Sequence, residues 1–431
     1  MTATSKMAPL HADPHIAQRL KQWRYRVFGA TWLSYIGFYI CRKPYSIVKK
    51  DLGDTLHFGA ADLALIYASY LLAYTAGQFL AGAIGPRIGP RRMLLVGMAI
   101  TAVCGVALGF SSGLAVFIAL MAVNGLAQAT GWSSNVGTMA MWFRREERGR
   151  VMGLWSTNFQ FGGVFANALA AFVLVHMGWT WAFWAGSVVM VGILAVFYWN
   201  QANRPEDVGL PSVIDDESGG GEAGSDGDTK WSASVWTSVV LVGLTYFYLK
   251  FIRYALWSWA PYVLQNNFKL PGDQAGYLST LFDLCGIAGV IATGWLSDKL
   301  FGGRRAAVSM WMLVANIGAT GLLFTLGGAS VTMFALCIGL VGFTLFGPDA
   351  LLTGAGAMDI GKGRGAVRAA GIISGLGSAG SVVQELWIGK AFETSKGDLG
   401  PVLGLLLGAA VLAACFVAVI LVRNRLGQSD V

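Results

Sequence analysis

Apolar stretches of roughly twenty residues return along the whole chain of 431 residues, and each is long enough to cross a bilayer as a helix. Twelve can be placed, at about 25–48, 62–85, 93–111, 114–142, 151–175, 179–200, 234–265, 274–297, 305–327, 330–358, 366–392 and 400–423. In hydrocarbon a segment must satisfy its own backbone polar groups, so spans of this length are helices. Only 13% of the residues are charged, about half the share of a soluble domain. The chain therefore reads as an all-α membrane protein with twelve transmembrane helices. The first apolar run is long and no small-residue cleavage site follows it, so a removable signal peptide is not expected.

The net charge of +8 could suggest nucleic acid, but its distribution argues otherwise. Most of the 31 Lys and Arg fall in short loops on one side, such as PRIGPRR (86–92), FRREERGR (143–150) and DKLFGGRR (298–305). This bias predicts that both termini are cytoplasmic. The five cysteines stand singly in apolar segments, without metal or disulfide spacing, and read as small packing residues.

Residues 201–233 break the pattern: they are polar, acidic and Gly-rich, and read as a flexible cytoplasmic linker. The expected organisation is a tail at 1–23, a six-helix bundle at 24–200, this linker, a second bundle at 234–425 and a tail at 426–431. GAIGPRIGPRR (82–92) follows the second span and GWLSDKLFGGRR (294–305) the eighth, so the halves repeat one loop pattern. Arg87, Arg91, Asp298 and Arg304 are its gate-loop candidates, with Pro86 standing where the second half has Asp298. A six-plus-six repeat with a long central loop resembles the major facilitator fold, which implies a substrate site between two pseudo-symmetric bundles. GLGSAG (375–380) matches a dinucleotide pattern but lies in an apolar helix, where small residues serve close packing.

Ionisable groups within the bilayer cost several kcal/mol on insertion scales and mark candidate sites. Arg42, Lys43, Lys250, Arg253, Asp283, Asp349 and Glu385 are these groups, and the competing reading of each is a charge reaching interfacial water. Arg42 lies 18 residues after Arg24, and Arg253 lies 19 after Ser234. At ~1.5 Å per residue both sit roughly 27–29 Å along helices entering from one side. Two guanidinium forks aimed at one cavity suit a tetrahedral oxyanion. Lys250, one turn before Arg253, adds a third cation on the same face. Lys43 points about 100° from Arg42, toward the cavity margin or the interface. Tyr35, Tyr39, Tyr246, Tyr254 and Trp257 share the two helices and are candidate lining. Asp283 and Asp349 are read as proton sites, as charge balance, or as marks of helix breaks, with Pro348 favouring a break at Asp349. Glu385 is read as interfacial.

RKPYSIVK (42–49), NGLAQATGW (124–132), MGLWS (152–156), RPEDVGL (204–210), LSTLFD (278–283) and FGPDALL (346–352) together resemble the organophosphate:phosphate antiporter family. The resemblance runs from the first span to the last. It implies exchange of inorganic phosphate for an organic phosphate, with Arg42 and Arg253 on the phosphate-binding positions and Lys250 matching a lysine of one subgroup. It also adds Gln78, Trp132, Phe159 and Gln160 as cavity candidates. Bacterial members have Lys at Gln78 and, in the glycerol-3-phosphate type, His at Phe159. Ala370 and Ile373 stand where the hexose-phosphate type has Asp and Lys, and Ser258 replaces an Asp. The rules for the organic moiety therefore do not carry over.

The expected function is exchange of a glycerol 3-phosphate or sugar-phosphate class substrate for inorganic phosphate by alternating access. The alternatives are a proton-coupled organic-anion symporter and a transporter-like sensor of a phosphorylated metabolite. No nucleophile, metal, cofactor or nucleotide motif points to an enzyme. The partners expected are the two phosphates and the lipid of a bacterial inner membrane, without nucleic acid, for a chain working as a monomer.

Overall fold

A computed structural model describes residues 14–143, 151, 154–155, 157–213, 232–299, 305–352 and 365–427. Among them are thirteen α-helices and no strand: α1 (Pro14–Arg42), α2 (Pro44–Leu56), α3 (Ala60–Ile88), α4 (Pro90–Gly109), α5 (Leu114–Trp142), α6 (Asn158–Met177), α7 (Trp179–Asn200), α8 (Ala233–Asn266), α9 (Gly272–Lys299), α10 (Arg305–Leu326), α11 (Val331–Ala350), α12 (Gly365–Thr394) and α13 (Gly400–Arg425). Nine of the described helices are long and apolar enough to cross a membrane alone. The other three spans are α6, α12, and α1 with α2, whose apolar run Arg42, Lys43 and Lys49 interrupt.

The first span is two helices where the sequence suggests one. The Lys43 amide still donates to the Tyr39 carbonyl at 2.9 Å, but Pro44 has no N–H to continue the ladder. The helical ladder is interrupted there, beside the arginine the sequence singles out, although Lys43 itself keeps helical backbone angles. The helix also begins at Pro14, so ten residues of the expected tail are helical, with Arg19 donating to the Val208 carbonyl at 3.3 Å. α11 runs through Pro348 and ends at Ala350, one residue after Asp349, where the chain passes into a π-helical turn at Leu351–Leu352; the residues that directly follow lie outside the described ones.

The halves repeat a close helix contact. A Cβ on Gly125 of α5 would overlap the Tyr70 carbonyl of α3, and one on Gly342 of α11 would overlap the Phe282 carbonyl of α9. Each glycine lets a fourth span lie directly on the second span of its own bundle. The expected linker begins as folded chain: Trp142 Nε1 donates to the Ala202 carbonyl at 3.0 Å, and Leu210 and Val213 are buried. Apolar burial holds residues 201–213 that composition assigns to a flexible segment; 214–231 lie outside the described residues.

The halves touch through α3 with α12, α6 with α9, and α2 with α8. These contacts gather toward the face remote from the chain ends. There Gly389 meets Ala64, Gly276 meets Ala171, and Gln265 Nε2 donates to the Ile47 carbonyl at 2.9 Å.

Candidate functional site

Arg42 ends α1 and is 5% exposed. Its Nε donates to Gln128 Oε1 at 3.1 Å, and the same oxygen accepts the Tyr70 hydroxyl at 3.0 Å. Gln128 donates in turn to Asn124 Oδ1 at 3.1 Å, which fixes the direction of its amide. The guanidinium lies 4.9 Å from the ring centres of both Tyr39 and Tyr74. Its Nη2 is buried without a hydrogen-bond partner, and no carboxylate pairs with it among the described residues.

Arg253 comes from α8 in the other half and is placed differently. Its Nη1 is paired with Asp349 of α11, and its Cζ lies 5.2 Å from the Trp257 ring and 5.5 Å from that of Tyr254. Tyr39 and Trp257 meet edge to face at 6.2 Å, so two rings join the arginine sites across the halves. Lys250 is buried, donates to Ser378 Oγ at 3.0 Å and lies 4.8 Å from the Tyr246 ring. Lys43 is also buried rather than interfacial: its Nζ is 3.9 Å from Asp283 Oδ2 and 4.3 Å from the Trp257 ring. Trp257 Nε1 donates to Asp283 Oδ1 at 2.7 Å. Lys43 and Arg253 share the Trp257 ring, and the Tyr39 ring that meets it carries Arg42. Two arginines, two lysines and two carboxylates from both halves therefore form one group.

Tyr35, Tyr39, Trp132 and Phe159 are brought together beside it. Phe159 lies 5.4 Å from both Tyr35 and Trp132, and Trp155 closes the cluster at 5.7 Å from Tyr35. Gln78 is half-buried on α3 and joins none of these contacts. The side chains of Gln160, Arg87, Asp298 and Ala370, and all of Arg304, lie outside the described residues. Arg91 is described, and its amide donates to Asn203 Oδ1 at 2.7 Å within its own half.

This arrangement belongs to a recognisable sequence class. Residues 27–384 match the Major Facilitator Superfamily profile. The chain belongs to that superfamily. Within it, the chain groups with the organophosphate:phosphate antiporter family. It is 27% identical over 359 residues to the membrane sensor protein UhpC of Salmonella typhimurium, covering 80% of each chain. It is 30% identical over 421 residues to a protein named for glycerol-3-phosphate transport in Arabidopsis thaliana, covering 84% of this chain and 80% of that one. Among solved structures, a bacterial homologue of the lysosomal transporter Spinster superposes with TM-score 0.72 at 13% identity, covering 95% of this chain and 99% of that one. A D-xylose–proton symporter gives 0.69 at 13% identity, covering 91% and 97%. Identity that low carries the fold alone, and the fold is the major facilitator fold.

This superfamily member holds a second buried charge group that sequence reasoning misses. Lys49 of α2 and Glu385 of α12 are both 0% exposed, with Nζ and Oε1 2.6 Å apart. Ser258 Oγ lies 2.6 Å from Nζ and donates to Glu385 Oε1 at 2.9 Å, and the Trp259 ring lies 3.7 Å from Nζ. Gln384 Nε2 donates to the other carboxylate oxygen at 3.1 Å. Glu385 is thus buried between the halves, not interfacial: Lys49 and its neighbours replace the water it would otherwise need. The available signal is spacing, since Lys49 falls two turns after Arg42 on a span that continues past Pro44.

Proposed function

We propose that this protein is a secondary transporter that exchanges an organic phosphate, of the glycerol 3-phosphate or sugar-phosphate class, for inorganic phosphate by alternating access. The observation that carries the reading is Arg42. A buried guanidinium whose Nη2 has no hydrogen-bond partner and which meets no carboxylate among the described residues is costly, and a tetrahedral oxyanion offers the paired acceptors it lacks. Arg253 and Lys250 would complete the grip from the other half, with Lys43 and Asp283 beside it. The names of the relatives point to the same substrate class. The ring cluster around Phe159 would take the organic moiety.

Binding to both arginines joins the halves, and this favours exchange over one-way transport. The unloaded site carries excess positive charge in low dielectric and resists reorientation, while bound phosphate offsets that charge. In this reading the face remote from the chain ends is closed, the ends lie in the cytoplasm of a bacterial inner membrane, and the monomer is the working unit. Closure involving the gate loops at Arg87, Arg91, Asp298 and Arg304 belongs to the same scheme.

The test is counterflow. Protein in phosphate-loaded liposomes should take up labelled phosphate saturably, with competition by glycerol 3-phosphate or glucose 6-phosphate, and only with phosphate inside. Uptake driven by a pH gradient into phosphate-free liposomes would support a proton-coupled symporter instead, with Asp283 or Asp349 carrying the proton. The sensor reading draws on the relatives named as membrane sensors. Tight ligand binding without turnover would favour it.

A further inference from the structure

We infer that Gln128 is a positioning residue for Arg42: its neutral oxygen fills the Nε edge of the guanidinium, so phosphate meets Nη1 and Nη2 end-on and finds their charge intact. This rests on the phosphate-exchange reading of the site. A guanidinium can grip an oxyanion side-on through Nε and Nη2, or end-on through Nη1 and Nη2. Nε carries a single hydrogen, and in this protein it goes to Gln128 Oε1 at 3.1 Å. The end edge remains, and its Nη2 is buried without a hydrogen-bond partner.

Gln128 is itself fixed on several sides, and it is fully buried. Its Oε1 also accepts the Tyr70 hydroxyl at 3.0 Å, and its Nε2 donates to Asn124 Oδ1 at 3.1 Å, one turn back on α5. Turning the amide over would set its NH2 group against Arg42 Nε, donor to donor. Tyr70 is held in turn, stacked between Tyr67 at 5.6 Å and Tyr74 at 5.9 Å. Gly125, three positions before Gln128 and on the same face, brings α5 directly onto the Tyr70 carbonyl. Every member of this set comes from α1, α3 or α5, all in the first bundle. The hold on Arg42 therefore persists when the halves move against each other. A carboxylate in place of the amide could accept the same two hydrogen bonds, but it would offset the charge that attracts phosphate. A neutral acceptor aims the cation and leaves it unbalanced.

The experiment reads half-saturation by labelled phosphate in liposome counterflow. Gln128→Met, close in size but without the acceptor, should raise half-saturation about tenfold. In Arg42→Lys, which has no guanidinium edge to direct, the same substitution should add less than about twofold. A merely structural role predicts equal penalties in the two backgrounds. Gln128→Glu keeps an acceptor for Arg42 and Tyr70 but brings a negative charge, so it too should raise half-saturation, by about tenfold or more. A structural acceptor role predicts wild-type behaviour for that variant. Should Gln128→Met not fold, or Arg42→Lys not exchange, Gln128→Glu decides alone. A wild-type half-saturation in either Gln128 variant, or equal penalties in the two backgrounds, overturns the inference. No exchange by wild-type protein would instead sink the functional reading beneath it.

Discussion

Glu385→Gln isolates what the buried pair between the halves contributes. Lys49 and Glu385 are fully buried and 2.6 Å apart, and Gln is close in volume, so the change removes charge and little else. Removing one member of a buried pair costs ~3–5 kcal/mol, because the other charge stays buried without its counterion. Ser258 and the face of Trp259 remain to Lys49, so the low end, about 3 kcal/mol, applies. That cost exists only while the face is closed, since an open face lets water reach Lys49. At 1.4 kcal/mol per tenfold, the balance should shift about 100-fold toward opening. A cysteine at Ile47 reads this, because Ile47 is fully buried and packs beside Gly276 of the other half. In a cysteine-free background, a membrane-impermeant maleimide should label it about 100-fold faster in Glu385→Gln. Lys49→Met with Glu385→Leu restores neutrality and apolar packing, and should return labelling to the original rate or below it. Unchanged labelling in a folded Glu385→Gln protein refutes the reasoning.

Three further outcomes are expected. Arg42→Lys keeps the charge but loses the fork, so ~2–3 kcal/mol of phosphate binding should go, raising half-saturation in counterflow about 30- to 150-fold. Gly125→Ala and Gly342→Ala should each destabilise the fold by roughly 1–3 kcal/mol in denaturant titrations, because the added methyl meets backbone. Gly29→Ala, with open space around it, should not destabilise it. Phe159→His should leave phosphate self-exchange intact and change which organic phosphate competes best; an unaltered order of competitors would remove Phe159 from the organic subsite.

The spans and the two arginines were legible because each signal lies within one segment. An apolar run announces its own length, and a guanidinium inside it is conspicuous without knowledge of its neighbours. The Lys49–Glu385 pair was not legible, because its members are 336 positions apart and each alone looks like a charge near a helix end. Gln128 was invisible for another reason. A neutral amide in an apolar helix raises no alarm until Arg42 and Tyr70 are found on its oxygen. Residues 201–213 misled through composition, since three well-placed apolar groups, Ala202, Leu210 and Val213, suffice to fold an otherwise polar segment.

The two charge groups meet different demands at one interface. A buried ion pair gives little net stability, since desolvation cancels most of the attraction. On the proposed mechanism, that balance suits a contact that separates in every cycle of alternating access. When the halves part, Lys49 and Glu385 recover their hydration, so opening costs less than parting a matched apolar surface would. It follows that Lys49→Met with Glu385→Leu should hold the face closed more firmly and slow exchange even though it adds stability. Around Arg42 the logic is reversed. Among the described residues the cation there has no internal counterion, and a bound oxyanion would supply one. Arg253 stands between these cases: its Nη1 is paired with Asp349, while its Nε is buried without a hydrogen-bond partner.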